Sequence, residues 1–134
     1  MFHCYYIIYC HSYLCFCRFG GNIDHDPHIL YTLSAIQIMA LCNRMDALGD
    51  VDKIARYVSS LQKPDGSFVG DIWGELDTRF SYCALSALAL LDRLNPAYVN
   101  IPAAIEYIAR CRNFDGGFGT VPGRKIRRIF YNFS

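Results

Sequence analysis

Leu61-Gln62-Lys63-Pro64-Asp65-Gly66-Ser67-Phe68 is the segment from which the architecture of this chain can be predicted, because a similar segment follows about fifty residues later. The second copy reads Cys111-Arg112-Asn113-Phe114-Asp115-Gly116-Gly117-Phe118-Gly119. A fainter copy, Cys17-Arg18-Phe19-Gly20-Gly21, lies about the same distance before the first. Such a period is typical of stacked supersecondary units, none of which can bury its apolar face alone. We therefore expect function to belong to a surface that several repeats build together.

The sequence before the first glycine turn predicts a pair of helices. Asp26-Pro27 favours a helix start, with Asp26 capping the free amides and Pro27 in the first helical position. The helix that follows, from 28 to 42, is apolar almost all round and is predicted to be buried. A second helix, roughly 52 to 62, is amphipathic and is expected to lie outside, half solvated, until Pro64-Asp65-Gly66 ends it.

The same pair recurs before the second glycine turn. Asp77 is predicted to cap a buried helix that runs to Leu91. Asn100, with Pro102 in the first turn, is predicted to begin an amphipathic helix. No segment alternates between apolar and polar residues as a half-buried strand does. We therefore predict an all-α fold of α-α helical hairpin repeats, inner helix and outer helix in turn.

The composition limits the possible functions. The 134 residues make one domain at most, and 53% of them are apolar against 19% charged, which favours helices buried on more than one side. The net charge of +1 argues against binding to nucleic acid or to an acidic membrane. Three of the seven cysteines lie singly within the predicted helices, as expected for buried free thiols in a cytoplasmic protein.

The two ends of the sequence differ from the repeats. Residues 1–19 are crowded with Cys and Tyr and fit neither a signal peptide nor a membrane span, so we interpret them as an aberrant start. Residues 124–134 form a basic tail that also breaks the repeat pattern. The α-α repeats are therefore assigned to residues 20–123, which amount to about two to two-and-a-half hairpins.

Two groups of residues are potential metal ligands. His25, Asp26 and His28 have suitable side chains, but they form one local cluster without a further ligand distant in sequence. A capped helix start with two polar histidines explains them better. The second group has spacings that match no paired zinc knuckle: Cys4, Cys10, His11, Cys15 and Cys17. We assign no metal ligand and no catalytic residue to this chain.

Two other motifs also have simpler interpretations. Gly116-Gly117-Phe118-Gly119 resembles a phosphate-binding loop, but neither the Lys-Ser/Thr nor the preceding strand is there, so it is predicted to be a turn. Glu75 and Asp77 could form the acid and base pair of a glycosidase. Asp77 is more simply the cap of a helix.

Arg79 is the strongest candidate for a functional residue. It lies in the first turn of an inner helix, where an unpaired cation is unfavourable beside the positive end of the helix dipole. Tyr82 follows on the same stripe, and the equivalent stripe of the preceding inner helix is Leu30 and Leu33. An apolar wall with one cation and one phenol would suit a long hydrocarbon chain with an anionic head. Pairing of Arg79 with Glu75 or Asp77 is an alternative that is compatible with this role.

Two segments carry a resemblance to a known family. They are His25-Asp26-Pro27-His28-Ile29-Leu30-Tyr31-Thr32-Leu33-Ser34-Ala35 and Gly70-Asp71-Ile72-Trp73-Gly74-Glu75-Leu76-Asp77-Thr78-Arg79-Phe80-Ser81-Tyr82. Both resemble the β subunit of protein prenyltransferases, and Asp77-Thr78-Arg79-Phe80-Ser81 resembles the type II enzyme, Rab geranylgeranyltransferase, more than the farnesyl or type I enzymes. The resemblance covers about residues 20–123, the N-terminal part of such a subunit.

The resemblance implies a fold, partners and a site. The fold is an α/α toroid of six hairpins, of which this chain holds a part. The partners are an α subunit in a heterodimer, geranylgeranyl diphosphate, and a Rab GTPase presented by an escort protein. The family uses Zn²⁺, whose Asp, Cys and His ligands are expected in repeats beyond this chain, so the chain alone is expected to be inactive. The implied substrate- and lipid-binding residues are Arg79, Tyr82, Leu33, Leu30 and Tyr31.

Two other interpretations remain open from the sequence. One is a non-catalytic helical repeat module that binds an α subunit or a lipid. The other is a different α/α-toroid enzyme, such as a terpene cyclase or a glycosidase, which would need an Asp-rich acid motif or a persistent carboxylate pair. The sequence has neither in convincing form.

Overall fold

The computed structural model describes residues 9–10, 19–22 and 24–123 of the chain. Four α-helices dominate these residues, in agreement with the predicted helical hairpins. The elements in chain order are β1 (Tyr9–Cys10), β2 (Phe19–Gly20), α1 (Ile29–Leu41), a 3-10 helix (Met45–Leu48), α2 (Val51–Ser60), α3 (Thr78–Leu90) and α4 (Ile101–Arg110). In the described part of the chain, no helix is long and apolar enough to cross a membrane.

The start of α1 differs from the prediction. Its cap is His28, whose Nδ1 accepts a hydrogen bond from the amide of Leu30 at 3.1 Å, and Asp26 does not cap it. The Asp26 carboxylate instead accepts a hydrogen bond from the indole of Trp73 at 2.9 Å. A partner that is distant in sequence therefore takes the group that was expected to cap the helix.

The other helices begin with caps that the sequence indicates directly. The Asp77 carboxylate accepts from the amide of Arg79 at 2.8 Å and the Asn100 side chain accepts from Ala103 at 3.1 Å, so both predicted caps are confirmed. Helix α2 begins at Val51 because Asp50 caps it, with a hydrogen bond from Lys53 at 3.0 Å. The predicted bounds of 52 to 62 are therefore slightly late at both ends.

The two glycine turns have the same backbone hydrogen bonds at equivalent residues. The amide of Lys63 donates to the carbonyl of Ser67 at 2.8 Å, and Asn113 donates to Gly117 at 2.7 Å. Gly66 and Gly116 both have positive φ, +86° and +85°, as these turns require. Short bridges close each turn, Gln62 with Phe68 and Arg112 with Phe118. The repeat inferred from the sequence is therefore a repeat of structure.

The faint third copy of the turn lies only partly within the described residues. In the two-residue antiparallel strands β1 and β2, Phe19 pairs with Cys10. Phe19 is buried. The predicted all-α fold is confirmed, since the extended pairings of the described residues are limited to these strands, the turn bridges and one bridge between Val69 and Leu76.

The core lies between the inner helices and extends under the outer ones. Helix α1 packs on α3, and α3 also contacts α2 and α4. The prediction that α1 is buried all round is wrong: one side is covered, but Leu30, Tyr31 and Leu41 are exposed. The described elements that contact α1 (α3, β2 and the 3-10 helix) do not enclose it.

Candidate functional site

The candidate site is a rim formed by the first turns of α1 and α3 and by the loop 70–77 between the repeats. The amide of Ile29 donates to the carbonyl of Gly70 at 2.8 Å, and the amide of Gly70 donates to Glu75 at 3.0 Å. At the start of α3, the amide of Thr78 donates to Thr120 at 2.9 Å. Each inner helix thus begins against the segment that follows a glycine turn.

Arg79 extends from this rim into solvent while it pairs with the cap of its own helix. Its Nη2 lies 2.8 Å from Oδ2 of Asp77, and its side chain is 72% exposed against 5% for Asp77. This ion pair is the alternative that the sequence left open, and it neutralises the unfavourable position of a cation in the first turn. Most of the guanidinium surface remains available to a ligand.

The electrostatics of Asp77 favour its charged form. Burial opposes ionisation, but the hydrogen bonds from the side chain and the amide of Arg79 outweigh it and lower the pKa of the Asp77 carboxyl. The same hydrogen bond, together with the nearby charge of Asp77, raises the pKa of Arg79. A carboxylate that is held ionised is a poor general acid, so the pairing of Glu75 with Asp77 as glycosidase residues gains no support from this geometry.

Tyr82 lies one turn after Arg79 and is 64% exposed. Residues three apart on a helix are neighbours, about 5–6 Å between their Cβ atoms, so the phenol and the guanidinium share one open face of α3. Leu30 and Tyr31 are about half exposed at the start of α1. Leu33 does not join them, because it is 5% exposed and belongs to the core.

The ring contacts of a second group of side chains at the rim were not predicted from the sequence. The ring of His28 meets Phe80 edge to face, with 5.2 Å between centroids, and Tyr31 at 6.0 Å. Gly70 lies so close to His28 and Phe80 that a Cβ there would collide with both. The only signal in the sequence was Gly70 itself, four residues after Gly66. A glycine at this position does not indicate which side chains pack against it.

The potential metal ligands have other partners, are exposed as His25 is, or lie outside the described residues. His28 and Asp26 are engaged with Leu30 and Trp73, as described above. Cys4, His11, Cys15 and Cys17 lie outside the described residues, as does the side chain of Cys10. Within the described ranges, no three His, Cys, Asp or Glu side chains come together as a metal site would require. These residues therefore do not fit the Zn²⁺ that the resemblance implies, and we derive no chemistry from it.

The cysteines within helical segments are free thiols. Cys83 and Cys111 are buried, and burial raises the pKa of each thiol. Cys42 is exposed at the end of α1, so the prediction that all three are buried is wrong for this one. Raised pKa values make Cys83 and Cys111 poor nucleophiles, which agrees with a packing role.

The ion pair of Asp77 predicts a pH-dependent stability. Asp77→Asn is expected to lower the free energy of unfolding by about 1 kcal/mol at neutral pH, because Asn still caps the helix but cannot pair with Arg79. Since the folded-state pKa is lowered below 3.8, the stabilisation is present above that value and is lost as the pH falls through the folded-state pKa. Urea unfolding followed by circular dichroism between about pH 7 and about pH 2 measures it. In a variant that already carries Arg79→Met, Asp77→Asn should change the free energy of unfolding little at any pH.

Comparison with known proteins gives a consistent result. The family of prenyltransferase alpha-alpha toroid domains matches residues 3–125. Geranylgeranyl transferase type-2 subunit beta of Candida albicans is 42% identical over 115 residues, which are 78% of this chain and 33% of that protein. The Saccharomyces cerevisiae type-2 subunit beta is 48% identical over 101 residues, 73% of this chain and 30% of its own length. The chain thus spans about a third of the length of these relatives.

More distant relatives include the Arabidopsis thaliana geranylgeranyl transferase type-1 subunit beta, 33% identical over 106 residues, 78% of this chain and 28% of that protein. A solved structure of Candida albicans protein geranylgeranyltransferase-I complexed with GGPP has a similar fold, with a TM-score of 0.69 and 21% identity. The similarity covers 81% of this chain and 34% of that one. It supports the predicted toroid fold, with two complete hairpins in the described residues.

Proposed function

Since the chain belongs to the prenyltransferase alpha-alpha toroid family, we propose that it is part of the β subunit of a type II geranylgeranyltransferase. Such an enzyme transfers a geranylgeranyl group from geranylgeranyl diphosphate to C-terminal cysteines of Rab proteins. The proposal includes a heterodimer with an α subunit, a Rab GTPase held by an escort protein, and a cytoplasmic location.

The observation that supports type II is the difference in identity between relatives. Identity to the type-2 β subunits is 42% and 48%, against 33% to the type-1 β subunit over a segment of similar length. Because the alignments cover similar shares of this chain, 78%, 73% and 78%, alignment length does not account for the difference. The geometry of the described rim contributes no evidence on the type, since its polar groups suit any prenyl diphosphate.

Arg79 and Tyr82 are the residues that we propose to contact the substrate. Both are exposed on one face of α3, and Leu30 and Tyr31 are exposed on α1, which packs against α3. The guanidinium of Arg79 can attract the anionic end of the substrate while its hydrogen bond to Asp77 keeps the side chain in position. The phenol of Tyr82 can donate a hydrogen bond to the same end. Leu33, buried beneath, would act on the lipid only through the packing of α1. The residues that bind Zn²⁺ are proposed to lie in parts of the subunit outside this chain.

A chimeric subunit tests the proposal. Residues 20–123 replace the corresponding segment of the Saccharomyces cerevisiae type-2 subunit beta, which is then produced with its α subunit. We expect the chimera to transfer geranylgeranyl to a Rab protein and to prefer it over farnesyl. Arg79→Ala in the chimera should lower kcat/KM about 10- to 100-fold, as expected for one lost hydrogen bond to a charged group.

Arg56 provides the matched control. It is an exposed arginine on the outer helix α2, so Arg56→Ala should leave kcat/KM of the chimera unchanged. A chimera that forms a folded heterodimer and shows no transfer would contradict the proposal and favour a non-catalytic repeat module. Equal effects of Arg79→Ala and Arg56→Ala would refute the role of Arg79.

A further inference from the structure

An exposed tryptophan on the loop between the repeats has no role in the proposed function. Trp73 is 78% exposed and its neighbour Ile72 is 68% exposed. Two carboxylates hold this tip in place. The indole donates to Asp26 at 2.9 Å, and the amide of Trp73 donates to the side chain of Asp71 at 2.9 Å. A large aromatic group that is fixed before binding loses little entropy on contact, which is typical of residues that dominate interfaces.

The surroundings of Trp73 are acidic. Asp26 and Asp71 contact it directly, and Glu75 follows two residues later. None of these three carboxylates takes part in an ion pair with the described residues. We call the group Asp26, Asp71, Ile72, Trp73 and Glu75 the Trp73 face. Its carboxylates and its exposed apolar side chains are complementary to a segment that has cations beside apolar or aromatic side chains.

One segment of this chain has that composition. Residues 124–134, which lie outside the described residues, contain four cations and no acidic residue: Arg124, Lys125, Arg127 and Arg128. They also carry the apolar and aromatic side chains Ile126, Ile129, Phe130, Tyr131 and Phe133. Charge and apolar surface are therefore complementary between segment and face.

The described chain before this segment runs past the start of α3, which follows the Trp73 face in sequence. The carbonyls of Gly119 and Thr120 both accept hydrogen bonds at 2.9 Å from Thr78, at the start of α3. Thr78 is five residues after Trp73, so roughly 18 Å at most separates them along an extended chain. The segment begins four residues after Thr120, and its eleven residues can span about 36 Å when extended. The segment is therefore long enough to reach Trp73.

We propose that residues 124–134 dock on the Trp73 face, with their arginines against its carboxylates and an apolar side chain against the indole. The interaction is intramolecular, so the short connection after Gly123 gives it a high effective concentration. It depends on charge pairs near the surface, so salt weakens it.

Fluorescence tests the proposal, because Trp73 is the only tryptophan of the chain. The full chain is compared with the variant Arg127→Glu/Arg128→Glu by acrylamide quenching at low salt. We expect the quenching constant to rise at least about twofold in the variant, because the indole loses its cover. About 0.5 M NaCl should raise the constant of the unmodified chain in the same way. Circular dichroism verifies that the variants retain their helices.

Two further variants make the test specific. Arg56→Glu/Lys63→Glu changes the same number of exposed cations on another part of the molecule and should leave the constant unchanged. A variant that combines Asp71→Lys/Glu75→Lys with Arg127→Glu/Arg128→Glu has the charges reversed on both sides of the interface. It should restore the protection of Trp73 from acrylamide. Equal quenching in all variants would overturn the proposal. Protection that increases with protein concentration would also overturn it, because the occupant would then be a second copy.

Discussion

Gly66→Ala is expected to lower the free energy of unfolding by about 3 kcal/mol, whereas Gly116→Ala, its equivalent in the second repeat, should cost about 1 kcal/mol. Both glycines have nearly the same positive φ, so both variants meet the same backbone strain. Only at Gly66 would the added Cβ collide with backbone, namely the carbonyl of Ala103 in the first turn of α4. At Gly116 nothing lies within 4 Å of that Cβ.

The difference arises from the contact between the repeats. The turn at Gly66 receives the start of α4, where the side chain of Gln62 donates to the carbonyl of Asn100 and accepts from its amide, each at 2.9 Å. Ala at position 66 would push this start away and strain both hydrogen bonds. Urea unfolding of the two variants measures the difference directly. Equal losses would mean that backbone strain at positive φ accounts for the whole loss in the free energy of unfolding. The close packing of Gly66 on Ala103 would then contribute nothing.

The features that the sequence predicted are those fixed by short-range physics. The glycine turns, the cap at Asp77 and the cap at Asn100 depend on residues within a few positions of each other, so their signals lie in a short segment. The ion pair of Arg79 with Asp77 is also local, which is why it could be foreseen as an alternative.

The features that the sequence did not predict depend on distant partners. Asp26 was expected to cap α1, but Trp73, far along the chain, takes its carboxylate and leaves the cap to His28. Leu33 and Tyr82 occupy equivalent positions in their helices, yet Leu33 is in the core and Tyr82 is 64% exposed. Sequence repeats predict equal environments, whereas actual burial depends on which neighbouring elements cover each copy.

Phe68→Ala is expected to be strongly destabilising, with a loss of about 3–5 kcal/mol in the free energy of unfolding. Phe68 is fully buried at the end of the first glycine turn and belongs to the same core cluster as Val58 and Phe80. Truncation would leave a cavity that the surrounding backbone cannot fill, because the turn is fixed by its own hydrogen bonds. The midpoint of urea unfolding should move to a lower concentration with an unchanged slope.

Phe118 is the matched control, since it holds the same position in the second turn with the same bridge. Its side chain is 48% exposed, so Phe118→Ala should cost only about 1 kcal/mol in this chain. The ratio of the two losses therefore measures how much a following repeat increases the stabilisation from an aromatic side chain at this position of the turn. In the chimeric subunit a further hairpin is expected beyond this turn, and there the cost of Phe118→Ala should rise toward that of Phe68→Ala. A loss that stays the same in both settings would show that nothing packs on Phe118, which would contradict the continuation of the toroid at this face.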